Sequence, residues 1–245
     1  MFKYYTDNEI SSIEVLANNF KDRLWYIPDF ISDESLSKIK EHISDIEYFY
    51  VNDDLSWAPR IIGNKPKIFL SIDYFGKEFF LGKEAPPNTV IVRDGSWFPY
   101  PFSPVEHNHI WFNGLRNIIK GAKGSSIVSP YRLSGVNEVP NIYYHPLLTW
   151  QEMNKRFENY YHCKEILSAF GIHRFDAVFP SVFPIALRNR NRVLAGLDAE
   201  LPELWKNKHH LPNPMYKELM LIPIDSRYNK ESLTKLADKI KELNK

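Results

Sequence analysis

Apolar positions recur at helical spacing over 8–22, where Ile10, Ile13, Leu16, Ala17 and Phe20 share one face, so the pattern predicts an amphipathic helix. The run LWYIPDF at 24–30 is a short buried strand leaving into a loop at Pro28. Over 32–43 the helical period returns, with Ser32 as N-cap, Ser35 as a second candidate cap, and Leu36, Ile39, Ile43 and then Ile46 on one face. Strand patterns follow at 47–51, 67–76, 88–96 and 125–130, while 109–124 reads as a strand, a turn and a short helix stopped by Gly121 or Gly124. Strands alternating with helices predict an α/β fold, a mainly parallel sheet with helices on both faces. Functional groups in such sheets gather beyond the carboxyl ends of the strands.

The register changes after about residue 145. Residues 149–170 form one long helix pattern with a wide apolar face of Trp150, Met153, Phe157, Tyr160, Tyr161, Ile166, Leu167 and Phe170. A proline-punctuated strand at 176–187, a helix at 191–201, a strand at 218–225 and a terminal helix at 229–245 complete the chain. Leu233, Leu236, Ile240 and Leu243 line one side of that last helix. The expected organisation is a large domain over 1–148 and a small α+β domain over 149–245.

Composition narrows the class. The 245 residues are 44% hydrophobic and 25% charged, which is ordinary for a globular protein. A net charge of +1 supplies no basic footprint for nucleic acid or an anionic membrane. No apolar run approaches the roughly 18 residues of a spanning helix, and the polar start MFKYYTDNEISS lacks a signal-peptide core. The single Cys163 excludes an internal disulfide and any multi-thiolate zinc site. These features predict a cytoplasmic globular protein with neither membrane nor nucleic-acid partners.

The candidate chemistry is sparse. Asp94, at the end of VIVRDGS, stands where a strand-end carboxylate can orient a base or pair with a cationic ring nitrogen, although spacing alone favours a plain Asp-Gly turn. Asp73 in SIDYFG presents the same choice. His107 and His109, flanked by Glu106 and Asn108, fall on one side of a strand and could share a metal, but a third ligand would have to come from the distant His209–His210 pair. Cys163 reads as a small buried apolar residue, and no Gly-x-Ser-x-Gly elbow is present. GAKGSS at 121–126 lacks the length of a phosphate loop and reads as a helix stop before a strand. Metal ligands are therefore not assigned.

The order of LWYIPDF, IEYFYV, SIDYFG, VIVRDGS and NGLRNIIKGAKGSSIV resembles the large domain of fold-type I pyridoxal phosphate (PLP) aminotransferases, and within them the DegT/DnrJ/EryC1/StrS sugar aminotransferases. FPSVFPIAL, ELPELW and LMLIPIDSRYNKESLTKLADKI are similar to that family's small domain. The resemblance implies that Asp94 is the carboxylate facing the cofactor's pyridine nitrogen and that Arg116 is the arginine of a Ser-x-Arg-Lys segment. It also implies four departures. Gly114 stands at the serine whose hydroxyl contacts phosphate, and Asn117 at the lysine that forms the Schiff base. Trp97 stands where a histidine is usual, and Ser12-Ile13 where the first helix starts Gly-Arg. An amide can neither form a Schiff base nor shuttle its proton. Lys120 and Lys123 are displaced along the segment, and transaldimination tolerates little misplacement.

The resemblance thus implies a degenerate aminotransferase homologue without covalent PLP, binding a nucleotide-sugar or phosphate ligand in surface-polysaccharide biosynthesis, and a homodimer. The alternative is an active sugar-nucleotide aminotransferase or dehydratase that holds PLP or pyridoxamine phosphate (PMP) non-covalently.

Overall fold

The computed structural model describes residues 1–57, 65–77, 88–98, 107–114, 123–140, 150–171, 175–198, 201–202 and 204–245. Its centre is a seven-stranded sheet of β1 (Phe2–Thr6), β2 (Leu24–Pro28), β3 (Ile46–Phe49), β4 (Lys67–Ile72), β5 (Thr89–Gly95), β6 (His109–Asn113) and β7 (Ser125–Ser129), in the order β1-β7-β6-β5-β4-β2-β3. From β3 through β6 the pairing is parallel; β7 and β1 close one edge antiparallel. Every residue of β4, β5 and β6 is buried, as a parallel sheet covered on both faces requires.

Two helices cover one face. Helix α1 (Glu9–Asn19) starts at Asn8, whose side chain accepts from Ser11 N, and buries Ile13, Leu16 and Ala17. Helix α2 (Asp33–His42) starts at Ser32, whose Oγ accepts from Ser35 N at 3.1 Å. Asp33 and Glu34 in its first turn and Lys40 and His42 in its last suit the helix dipole. The cap at Ser32 was legible in the sequence. Strand β1 was not, since the reading took those residues only as a polar start; Tyr4, buried at its middle, accepts from Leu133 N through its hydroxyl.

The C-terminal region adds α3 (Trp150–Ile166), β8 (Val182–Ala186), α4 (Arg190–Gly196), the single turn α5 (Met215–Glu218), β9 (Leu219–Pro223) and α6 (Lys230–Leu243). Strands β8 and β9 form their own antiparallel pair. The helices are shorter than the sequence pattern suggests: the apolar period runs past Ile166 and Gly196, but the backbone leaves the helix there. Phe179 and Met153 lie against Trp111 and Val128 on the sheet face opposite α1. Gly76 makes this junction, with φ at +91° and a Cβ position only 1.6 Å from Phe179 O, and its carbonyl accepts from Val178 N and Phe179 N. The predicted division at 148/149 falls at residues 141–149, outside the described residues.

Candidate functional site

A cleft with room for about 380 Å³ opens beyond the carboxyl ends of the strands. Its walls are Ile72 from the end of β4, Asp94, Ser96 and Trp97 from the end of β5, Glu9 and Ile10 from the start of α1, residues 32–35 from the start of α2, and Leu204, Trp205, Lys206 and Lys208. Trp205 is held in place by Phe30, whose ring centroid lies 4.9 Å away, and Phe30 in turn contacts Tyr216 at 4.9 Å and Tyr74 at 5.5 Å.

Asp94 satisfies both readings of its position. Its Oδ1 accepts from Ser96 N at 2.9 Å and from Ser96 Oγ, so the carboxylate does build the turn that leaves β5. Its residue also lines the cleft at 8% exposure. Burial pushes its carboxyl up to about 7, against the lowering effect of the two Ser96 bonds, and the nearby Glu9 and Asp73 raise it further. Asp73 is closed off instead: Arg93 Nη2 donates to its Oδ2 at 3.0 Å, and the pair is buried.

Glu9 is the residue that the sequence did not single out. It is 6% exposed, lies in the first turn of α1, and lines the same cleft as Asp94. Sequence gave no signal, because an acid after an Asn cap is an ordinary complement to the helix dipole. Its meaning comes from Gly114, just beyond β6. A Cβ at Gly114 would lie 2.8 Å from Glu9 Oε2, 2.9 Å from its Cδ and 3.0 Å from its Cβ. The carboxylate fills the space in which a side chain at 114 would stand.

The other sequence candidates fall as follows. Trp97 lines the cleft, meets Phe75 edge-on at 5.0 Å, and its carbonyl accepts from Ser181 Oγ at 2.8 Å. Ser12 and Ile13 do not face the cleft: Ile13 is in the core, and Ser12 Oγ bonds Ser125 Oγ and Thr6 Oγ1, both at 2.7 Å. It is Glu9 and Ile10 of that helix that reach it. Arg116, Asn117 and Lys120 lie outside the described residues, and Lys123 is exposed just before β7. His109 starts β6 at the amino end of the sheet, away from Asp94, and His107 is exposed in the preceding turn. Among the described residues, the one group of three candidate metal ligands is Glu14, Glu41 and His42, and Lys38 already bonds both carboxylates there. Cys163 is buried, and burial pushes its thiol up to about 12.

Two features of the cleft bear on whether a PLP cofactor would fit here. Asp94 sits where a ring nitrogen could find a carboxylate. At position 114, where the resemblance implies a phosphate-binding hydroxyl, the structure puts a buried carboxylate beside a glycine.

The fold itself is that of the fold-type I aminotransferases. Helicobacter pylori PseC, an aminotransferase involved in pseudoaminic acid biosynthesis, superposes with a TM-score of 0.72 at 14% identity, covering 99% of this chain and 86% of that one. A DegT/DnrJ/EryC1/StrS aminotransferase from Brucella abortus gives 0.67 at 11% identity, with 99% and 86% covered. Streptococcus pneumoniae Spr1654, in its PMP form, gives 0.70 at 11% identity over the same shares. No family model and no curated protein matches the sequence. No helix among the described residues is long and apolar enough to cross a membrane.

Proposed function

We propose that this chain is a sugar-aminotransferase homologue that has given up covalent PLP catalysis and uses the cleft above Asp94 to bind a sugar-containing ligand. The observation that carries the reading is the Glu9 side chain against Gly114, which fills the space in which a phosphate-binding hydroxyl at 114 would stand. Asn117 at the Schiff-base position points the same way, since a carboxamide offers no amine to a carbonyl. Trp97 and Trp205 supply aromatic walls, and Glu9 and Asp94 supply acceptors for hydroxyl groups. Lys206 and Lys208, which also line the cleft, suit the diphosphate of a nucleotide-sugar. The family context suggests surface-polysaccharide biosynthesis, and a homodimer as the working unit; light scattering at micromolar concentration checks the latter, and a monomer would remove it.

Asp94 itself favours a second reading, an active aminotransferase or dehydratase holding PLP or PMP non-covalently, because a buried strand-end carboxylate suits a pyridinium partner. Incubation with PLP, borohydride reduction and peptide mapping separate the two. The first reading expects no labelled lysine and no cofactor absorbance after gel filtration. A label on Lys120 or Lys123 overturns it, and retained unlabelled cofactor promotes the second.

A further inference from the structure

A second cavity, of about 590 Å³, shares Trp205 with the cleft and is bordered by α4, β9 and residues 201, 202 and 204–207. Its lining is mostly apolar, with Leu194, Leu197, Leu201 and Met220 prominent, and its volume is within the ordinary range for small-molecule sites. Two cations line it, Lys206 and Arg190, and Arg190 is the one the structure fixes in place. Arg190 Nη1 donates to the carbonyls of Tyr216 at 2.9 Å and Leu219 at 3.0 Å, which fixes the guanidinium. Nη2 has only a 3.5 Å contact with Asn191 Oδ1, and the buried Nε has no hydrogen-bond partner.

The other two substantially buried arginines with described ion pairs are treated differently: Arg93 meets Asp73 at 3.0 Å and Arg156 meets Glu152 at 2.7 Å. Among the described residues no carboxylate pairs with Arg190, although burial already pulls its guanidinium's pKa down. A partly desolvated cation without a counter-ion is unfavourable, and an anion delivered by a ligand removes that penalty. An apolar wall with one fixed, uncompensated cation selects a molecule that is apolar at one end and anionic at the other. We propose that this cavity binds a small amphipathic carboxylate, its tail among Leu194, Leu197, Leu201 and Met220 and its head on Arg190. Leu204, Trp205 and Lys206 line both spaces, so such a ligand would also brace the outer wall of the cleft.

The test is calorimetric titration of the full chain with octanoate and, in parallel, with octan-1-ol, which has the same tail and no charge. Saturable octanoate binding about tenfold tighter than octanol is expected, the effect of one hydrogen bond to a charged group. Arg190→Gln should bring octanoate down to the octanol level while octanol binding persists, which also shows that the variant is folded. Leu194→Trp, which narrows the mouth, should weaken both. Equal affinity for the two probes, no saturable binding of either, or octanoate binding that survives Leu194→Trp unchanged would overturn the proposal. None of these results depends on whether PLP binds in the cleft.

Discussion

Neighbouring strands β4 and β5 end in aspartates one register position apart, and the two have opposite fates. Ile72 pairs with Asp94, so Asp73 sits one residue further along and points to the other side of the sheet. On that side Arg93 meets it, and the pair closes into the core. On the α1 side Asp94 faces a cleft, where the nearby Glu9 and Asp73 raise its pKa. A strand-end Asp is therefore structural or available for ligand according to strand parity, and parity is set by which face the following helix covers.

Breaking the closed site should have the largest effect. Arg93→Ala leaves Asp73 buried without its cation, and a loss of about 3–5 kcal/mol in urea unfolding is expected. A loss below 1 kcal/mol would mean that the two sites are less different than their geometry indicates.

The open site should respond in the opposite sense. Asp94 has a folded value near 7 against about 3.9 for the unfolded chain. The folded form therefore holds a proton through that window while the unfolded form has released it. Stability falls as pH rises from about 4 to 7, and the loss is complete above 7, at up to ~4 kcal/mol. Asp94→Asn keeps an acceptor for Ser96 N and removes the charge, so it should raise the melting temperature at pH 8 and leave it nearly unchanged at pH 4. A variant that is less stable at pH 8 would show that Asp94 is compensated.

Gly114→Ser probes the contact between Glu9 and position 114. The added Cβ displaces a buried Glu9, at a cost of about 1–3 kcal/mol. Adding Glu9→Ala should recover most of the loss, and a double-mutant cycle measures the coupling. Ser32→Ala, at the α2 cap beside the same cleft, should cost only about 1 kcal/mol.

Much of this architecture was legible because periodicity reports burial. The β4 and β5 runs are apolar throughout, as strands covered on both faces must be, and α2 announces itself by Ser32, its acids and its apolar face. The alternating Phe2–Thr6 strand was missed because five residues with a lysine and a threonine carry too little pattern, and only pairing with β7 defines it. The site was half legible. Asp94 was visible as a choice between turn and ligand; it builds the turn through Ser96 and also lines the cleft. Glu9 could not be seen, because its role depends on a glycine 105 residues away that only the α1–β6 packing brings opposite it. Ser12-Ile13 drew attention as a departure from the family's helix start, yet those side chains serve the core and the Ser125 contact.

On the proposed reading the Glu9 side chain occupies the end of the cleft where a cofactor phosphate would sit. Equilibrium dialysis of PMP against the unaltered chain and against Glu9→Gln tests it most directly, because PMP has no aldehyde and reports the cleft without any Schiff base. The account predicts no saturable binding by the unaltered chain through the millimolar range and clearly tighter binding by Glu9→Gln. Micromolar binding by the unaltered chain, undiminished and unimproved in Glu9→Gln, would contradict it.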